Sequence, residues 1–202
     1  VKHIFQQGND QNKPTFMLLH GTGGTENDLL PVAGMIDNSA SILGVRGNIT
    51  ENGMPRFFKR LAEGVFDEED LMKQTGGLYE FIDTASAEHS FDRENVIAIG
   101  YSNGANIAAN LLFHYEQPVK GAALFHPMVP RRGIQLPDLT GMPVFIGAGK
   151  NDPICRPEET EELAEMLEAA GAAVTLHWED GGHQLTREEV AQAAEWYKHT
   201  VL

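Results

Sequence analysis

Apolar residues fall along this chain in two alternating patterns. The first is a set of short unbroken runs: Phe16-Met17-Leu18-Leu19, Ile42-Leu43-Gly44-Val45, Val96-Ile97-Ala98-Ile99-Gly100, Ala122-Ala123-Leu124-Phe125, Val144-Phe145-Ile146-Gly147-Ala148 and Val174-Thr175-Leu176-His177-Trp178. Continuous runs of this length suit strands covered by helices on both faces. The second pattern has helical spacing and predicts helices over residues 29–36, 71–87, 103–114 and 157–170, and another near the C-terminus. Pro157 suits a first helical position and Gly171 a helix end. Thr186-Arg187-Glu188-Glu189 has the spacing of a capping box.

This alternation predicts an α/β fold with a mostly parallel central sheet and helices on both faces. Residues 1–202 read as one domain with no separate cap domain. Open sheets of this type bind ligands beyond the carboxyl ends of their strands. The runs end at polar turns: His20-Gly21, Arg46-Gly47, Tyr101-Ser102, His126-Pro127, the turn leading to Asp152, and Gly181-Gly182-His183. Residues 47–70 break the rhythm and carry Met54, Pro55, Phe57, Phe58, Leu61 and Phe66. A stretch this long between a strand and a helix points to function.

Composition narrows the classes. With 42% hydrophobic and 22% charged residues the chain is an ordinary globular protein. Its 29 acidic against 15 basic residues leave a formal charge of −14, which argues against nucleic acid and anionic membrane as partners. Cys155 is the only cysteine, so cysteine-pair metal sites and intrachain disulfides are excluded. Val1-Lys2-His3-Ile4-Phe5 lacks the apolar run of a signal peptide, which favours a cytoplasmic protein.

The candidate chemistry lies in four segments. Gly100-Tyr101-Ser102-Asn103-Gly104 matches G-x-S-x-G between a strand and an Ala-rich helix, where a nucleophile elbow must lie. Serine needs a base, and His183, in a loop after the last strand, is the candidate. His20 and His126 end strands and are expected to line the site. Asp152 is the candidate acid that orients the base, with Asp180 as runner-up. The order Ser102, Asp152, His183 is the α/β-hydrolase order. The backbone N–H groups of Asn103 and of Thr22, in His20-Gly21-Thr22-Gly23-Gly24, are the candidate oxyanion donors. Arg46 and Arg56 read either as grips for a carboxylate or phenolate, or as surface charges paired with Glu51 or Glu63.

With these segments in register the chain resembles the phospholipase/carboxylesterase family of the α/β-hydrolase superfamily, and looks closest to its small bacterial carboxylesterases. The likeness rests on His20-Gly21-Thr22-Gly23-Gly24, Gly100-Tyr101-Ser102-Asn103-Gly104-Ala105-Asn106, Gly149-Lys150-Asn151-Asp152-Pro153 and Gly182-His183, with Arg46-Gly47 and Arg56-Phe57-Phe58. It implies a serine carboxylesterase without cofactor or metal, acting on small to medium acyl esters. Phe57 and Phe58 would line the acyl pocket, and a homodimer is a further expectation. Acyl-protein thioesterases usually carry Gln and Leu where Asn103 and Thr22 stand. Dienelactone hydrolases share the fold but use Cys at the position of Ser102. The competing readings are a thioesterase or lysophospholipase with the same machinery, and a non-catalytic ligand-binding protein on a hydrolase scaffold.

Overall fold

A computed structural model describes residues 1–202. The six apolar runs are the parallel strands of one sheet: β2 (Thr15–Leu19), β3 (Ser41–Val45), β8 (Val96–Tyr101), β9 (Gly121–Phe125), β10 (Pro143–Gly149) and β11 (Ala173–Glu179). A short strand β1 (His3–Gln6) adds an antiparallel edge, giving the order β1-β3-β2-β8-β9-β10-β11. This is the α/β-hydrolase arrangement expected from the sequence. The strand β1 was not, because its four residues, three half-buried and one exposed, are too few to show a period.

Alternation along the strands separates two cores. Met17, Leu19, Leu43, Val45, Ala98, Leu124 and Ile146 face α2 (Glu68–His89), α3 (Asn103–His114) and α4 (Pro157–Ala169), meeting Leu71, Ile82, Ile107, Leu111 and Leu163. Their neighbours Phe16, Leu18, Ile97, Ile99, Phe125 and Phe145 face the other way, against α1 (Leu30–Ile36) and α5 (Arg187–Trp196). Each such side chain taken from water contributes roughly 1.5–3 kcal/mol, so burial on both faces fixes the register.

The starts of α4 and α5 follow the sequence signals, while α2 begins at Glu68, three residues before the expected start. Asp67 caps α2 by accepting the Asp70 N–H at 3.0 Å. The capping box at α5 is complete: Thr186 Oγ1 accepts the Glu189 N–H at 3.1 Å, and Glu189 Oε2 accepts the Thr186 N–H at 2.9 Å. A π-helical turn, Tyr197–Val201, closes the chain. No helix is long and apolar enough to cross a membrane.

Residues 47–70 form two hairpins, β4–β5 (Ile49–Glu51 with Met54–Arg56) and β6–β7 (Arg60–Ala62 with Val65–Phe66). They are tied down by side chains. Asn103 Oδ1 accepts the Phe57 N–H at 2.7 Å, and Asp70 Oδ2 accepts the Lys59 N–H at 2.7 Å. The β6–β7 hairpin thereby hangs over the carboxyl end of β8, with Arg60, Glu63, Gly64 and Phe66 beside Ser102.

Candidate active site

Ser102 sits on the turn from β8 to α3 with φ 52° and ψ −114°. A non-glycine residue there carries backbone strain of roughly 1–3 kcal/mol. Close packing on either side holds it. A Cβ on Gly104 would lie 1.9 Å from the Leu19 carbonyl oxygen, and one on Gly100 would lie 2.6 Å from the Gly104 oxygen. The two glycines thus let α3 press against β2 and β8 while the serine stands clear above them.

Ser102 Oγ lies 2.8 Å from His183 Nε2, and His183 Nδ1 lies 2.7 Å from Asp152 Oδ2. A carboxylate only accepts, so the proton sits on Nδ1 and Nε2 presents its lone pair to the serine hydroxyl. Asp152 is 4% exposed and uses both oxygens fully. Its Oδ1 accepts the N–H groups of Ile154 (2.8 Å) and Cys155 (3.0 Å), while Oδ2 serves both His183 and, at 3.0 Å, His126 Nδ1. Burial pushes this carboxyl up, but the Cys155 N–H, His183, the Ile154 N–H and His126 together outweigh it. The acid is held below its ordinary value. Asp180 is far from this chemistry, exposed and paired with Lys150 at 2.7 Å.

Ser102 opens into a cavity of about 250 Å³. Thr22 and Asn103 both line it. The Asn103 N–H is the first of α3 and has no carbonyl a turn behind it in the helix. In the Gly-rich turn the Gly23 and Gly24 N–H groups are taken by Pro55 and Gly21, at 2.9 and 3.0 Å, and Thr22 lies just before them. Arg56 Nη1 donates to Thr22 Oγ1 at 2.6 Å and so fixes that residue.

Of the six residues expected to meet the substrate, Arg56 lines this cavity and His20, Arg46, Phe57, Phe58 and His126 do not. His20 is buried, with Nδ1 on the Gly21 carbonyl (2.6 Å) and Nε2 accepting the Gly47 N–H (3.1 Å), and it braces the turn below the cavity. Arg46 is ion-paired with Glu26. Phe57 packs on His20 and Phe58 on Phe66, both buried as core. His126 lies behind Asp152, not in front of it. Sequence periodicity could not place Arg56, Phe57 and Phe58 because the hairpin segment has no long amphipathic period. Arg60, Phe66, Tyr101, Met128, Ile154 and Cys155 line the cavity instead.

Arg56 and Arg60 share one carboxylate. Glu51 lies 3.3 Å from Arg56 Nε and 3.0 Å from Arg60 Nε. Burial and the Arg60 charge push the Arg56 guanidinium down from its usual value, and Glu51 only partly opposes them. Two groupings bring metal-ligating atoms within 4.8 Å of one another: His126, Asp152 and His183, and His3, Glu88 and His89. In the first, protein donors already occupy Asp152, so it reads as a hydrogen-bonded chain.

Residues 55–199 match the Dienelactone hydrolase family. MhqD of Bacillus subtilis (strain 168), a protein named as a hydrolase by inference, is 59% identical over 202 residues, covering all of both chains. The crystal structure of the Bacillus cereus carboxylesterase is 64% identical with a TM-score of 0.98, over 98% of this chain and 94% of that one. YahD, solved with malic acid, is 34% identical with a TM-score of 0.94, over 98% of both chains. By the length of the family match and the identity of these relatives, the chain belongs to the dienelactone hydrolase family of the α/β-hydrolase superfamily.

Proposed function

We propose that the protein is a carboxylic ester hydrolase working through an acyl-enzyme on Ser102. The observation that carries this reading is the line Ser102 Oγ, His183 Nε2, His183 Nδ1, Asp152 Oδ2, with steps of 2.8 and 2.7 Å, ending in an open cavity. His183 takes the serine proton as Oγ attacks the ester carbonyl. The developing oxyanion is received by the Asn103 and Thr22 N–H groups, each such donor being worth roughly 10²–10³ in kcat. His183 then protonates the leaving alkoxide and next activates the water that releases the acid. The Bacillus cereus carboxylesterase supports the ester as substrate.

The substrates are small to medium acyl esters. A cavity of about 250 Å³ falls below the roughly 300 Å³ at which drug-sized pockets begin. Of the charged side chains at the cavity, Arg56 and Arg60 share Glu51, and the exposed Glu63 stands beside them; the two guanidiniums favour an ester with an anionic group. That YahD was solved with malic acid, a dicarboxylic acid, agrees with this.

A fluorophosphonate probe followed by mass spectrometry tests the mechanism. The adduct is expected on Ser102, and Ser102→Ala should lose orders of magnitude in kcat with its thermal transition intact. An adduct elsewhere, or full turnover by the variant, overturns the reading.

A further inference from the structure

Behind Asp152 lie two ionisable side chains that the acyl-transfer steps do not use. His126 is 1% exposed and Glu189 is 0% exposed. His126 Nδ1 is 3.0 Å from Asp152 Oδ2, and its Nε2 is 2.8 Å from Glu189 Oε1. The second contact is at ion-pair distance, though its orientation falls short of a directional hydrogen bond. Both ring nitrogens therefore face carboxylate oxygens, and a neutral imidazole would turn a lone pair on one of them. The backbone marks the position as well: His126 has φ 55°, a left-handed conformation that glycine adopts more readily.

We propose that His126 is held as an imidazolium between Asp152 and Glu189, as a positioning residue that fixes Asp152 and tempers its pull on His183. Asp152 Oδ2 is shared by the two imidazoles, whose ring centroids are 5.3 Å apart. A positive charge on His126 withdraws part of the carboxylate's field from His183. Glu189 maintains that charge and is itself anchored by the Thr186 N–H through the α5 capping box. The remaining polar neighbours of His126 carry no compensating charge. The Tyr101 ring stands edge-on at 6.1 Å, and the Cys155 thiol donates to the His126 carbonyl at 3.3 Å. Burial lowers the His126 basicity, but Glu189 and then Asp152 more than reverse this, so the ring's affinity for its proton is raised. The role in tempering His183 rests on the serine mechanism proposed above; the imidazolium itself does not.

Glu189→Gln separates the charge from the fold. The amide oxygen can keep the Thr186 N–H, since Gln serves in a capping box as well as Glu. The amide NH₂ then faces His126 Nε2 and supplies a hydrogen where the parent supplies a carboxylate. His126 becomes neutral, with its Nδ1–H still on Asp152. Imidazole ¹H–¹⁵N spectra at about pH 8.5, two units above an ordinary histidine, read the protonation directly. His126→Asn identifies the signals by their loss. Both His126 nitrogens are expected to be protonated in the parent, and Nε2 to be bare in Glu189→Gln. The variant loses the His126 cation, which shares Asp152 with His183, and the Glu189 anion on the far side of that ring. The nearer charge dominates and its loss favours the charged form of His183, so the acid limb of kcat/KM should move up by about half a pH unit. A neutral His126 in the parent at that pH, or an acid limb that Glu189→Gln leaves in place, overturns the proposal. Ser102→Ala turnover reports on the serine mechanism separately, and the spectra do not depend on turnover.

Discussion

Tyr101 donates its hydroxyl to the backbone carbonyl of His183 at 2.8 Å, so the residue before the serine holds the loop that carries the base. It adds to the bonds that the Asn151 N–H and side-chain amide make to the Gly181 and Asp180 carbonyls, at 3.0 and 2.7 Å, in a loop whose glycines leave the backbone free. Tyr101→Phe removes this bond and leaves the ring packed between His126 and His183. We expect kcat to fall about tenfold with KM nearly unchanged, since a small misplacement of the base costs rate before binding. Unfolding free energy should drop by about 1 kcal/mol, the ordinary net worth of one hydrogen bond. Parental kcat and stability in Tyr101→Phe, with losses appearing only in Tyr101→Leu, would show that the ring, not the hydroxyl, does this.

The thiol of Cys155 is expected to be a bystander. It is 2% exposed, and burial first, then Asp152 and Glu159, push its ionisation upward, out of reach of neutral pH. Its sulfur lies 3.9 Å from His183 Nδ1, too long for a useful hydrogen bond. Cys155→Ser should retain activity within about threefold, and iodoacetamide should label the folded protein at least about tenfold more slowly than a free thiol. Loss of turnover in the isosteric serine variant would contradict the serine mechanism.

The six parallel strands, the five α-helices and the order of Ser102, Asp152 and His183 were legible because each depends on local signals. Apolar runs, caps and turn glycines are properties of consecutive residues. The cavity wall was not legible, for a physical reason. In residues 47–70 the side chains are sorted by contacts with distant partners, Phe57 by His20 and Asn103, Phe58 by Phe66, and Arg56 by Thr22. Nothing in the spacing of Arg46 and Arg56 distinguishes the one beside Glu26 from the one beside the cavity. The strand-ending histidines His20 and His126 were read as site residues on position alone. Each is instead turned away from the cavity by a hydrogen-bonding partner far along the chain: Gly47 for His20, Asp152 for His126.

Stability should depend on pH on both flanks. Asp152 is held below its unfolded value, so its contribution is present above about pH 4 and is lost as pH falls through the lower folded value. His126 is raised, so its contribution is fully present below about pH 6.5 and is lost as pH rises through the higher folded value. Urea midpoints across pH should therefore show the parent's advantage over Glu189→Gln at its largest near pH 6, shrinking on the alkaline side. An advantage that grows with pH contradicts the direction assigned to His126.

Acyl size and charge should decide which esters are turned over. The cavity beside Ser102 has an apolar side made by Phe66, Met128 and Ile154, and a charged side made by Arg56, Arg60 and Glu63. Each buried methylene contributes about 0.8 kcal/mol, roughly fourfold, until the wall is reached. Catalytic efficiency should rise over the first few acyl carbons and then fall, and Phe66→Ala should move the optimum to longer chains without ending turnover. Arg56 is a poor residue to change, because it also holds Thr22 and the Phe58 carbonyl, at 2.6 and 3.2 Å. Arg60 pairs only with Glu51 through its Nε, so Arg60→Gln is the cleaner variant. It should raise KM about tenfold for a half-ester bearing a free carboxylate, the loss of one partly screened charge pair. A neutral ester of equal length should be almost unaffected. Equal effects on both esters would remove the anionic group from the substrate. Palmitoyl esters outperforming butyryl or hexanoyl ones, below their aggregation limit, would instead favour a thioesterase or lysophospholipase using the same serine.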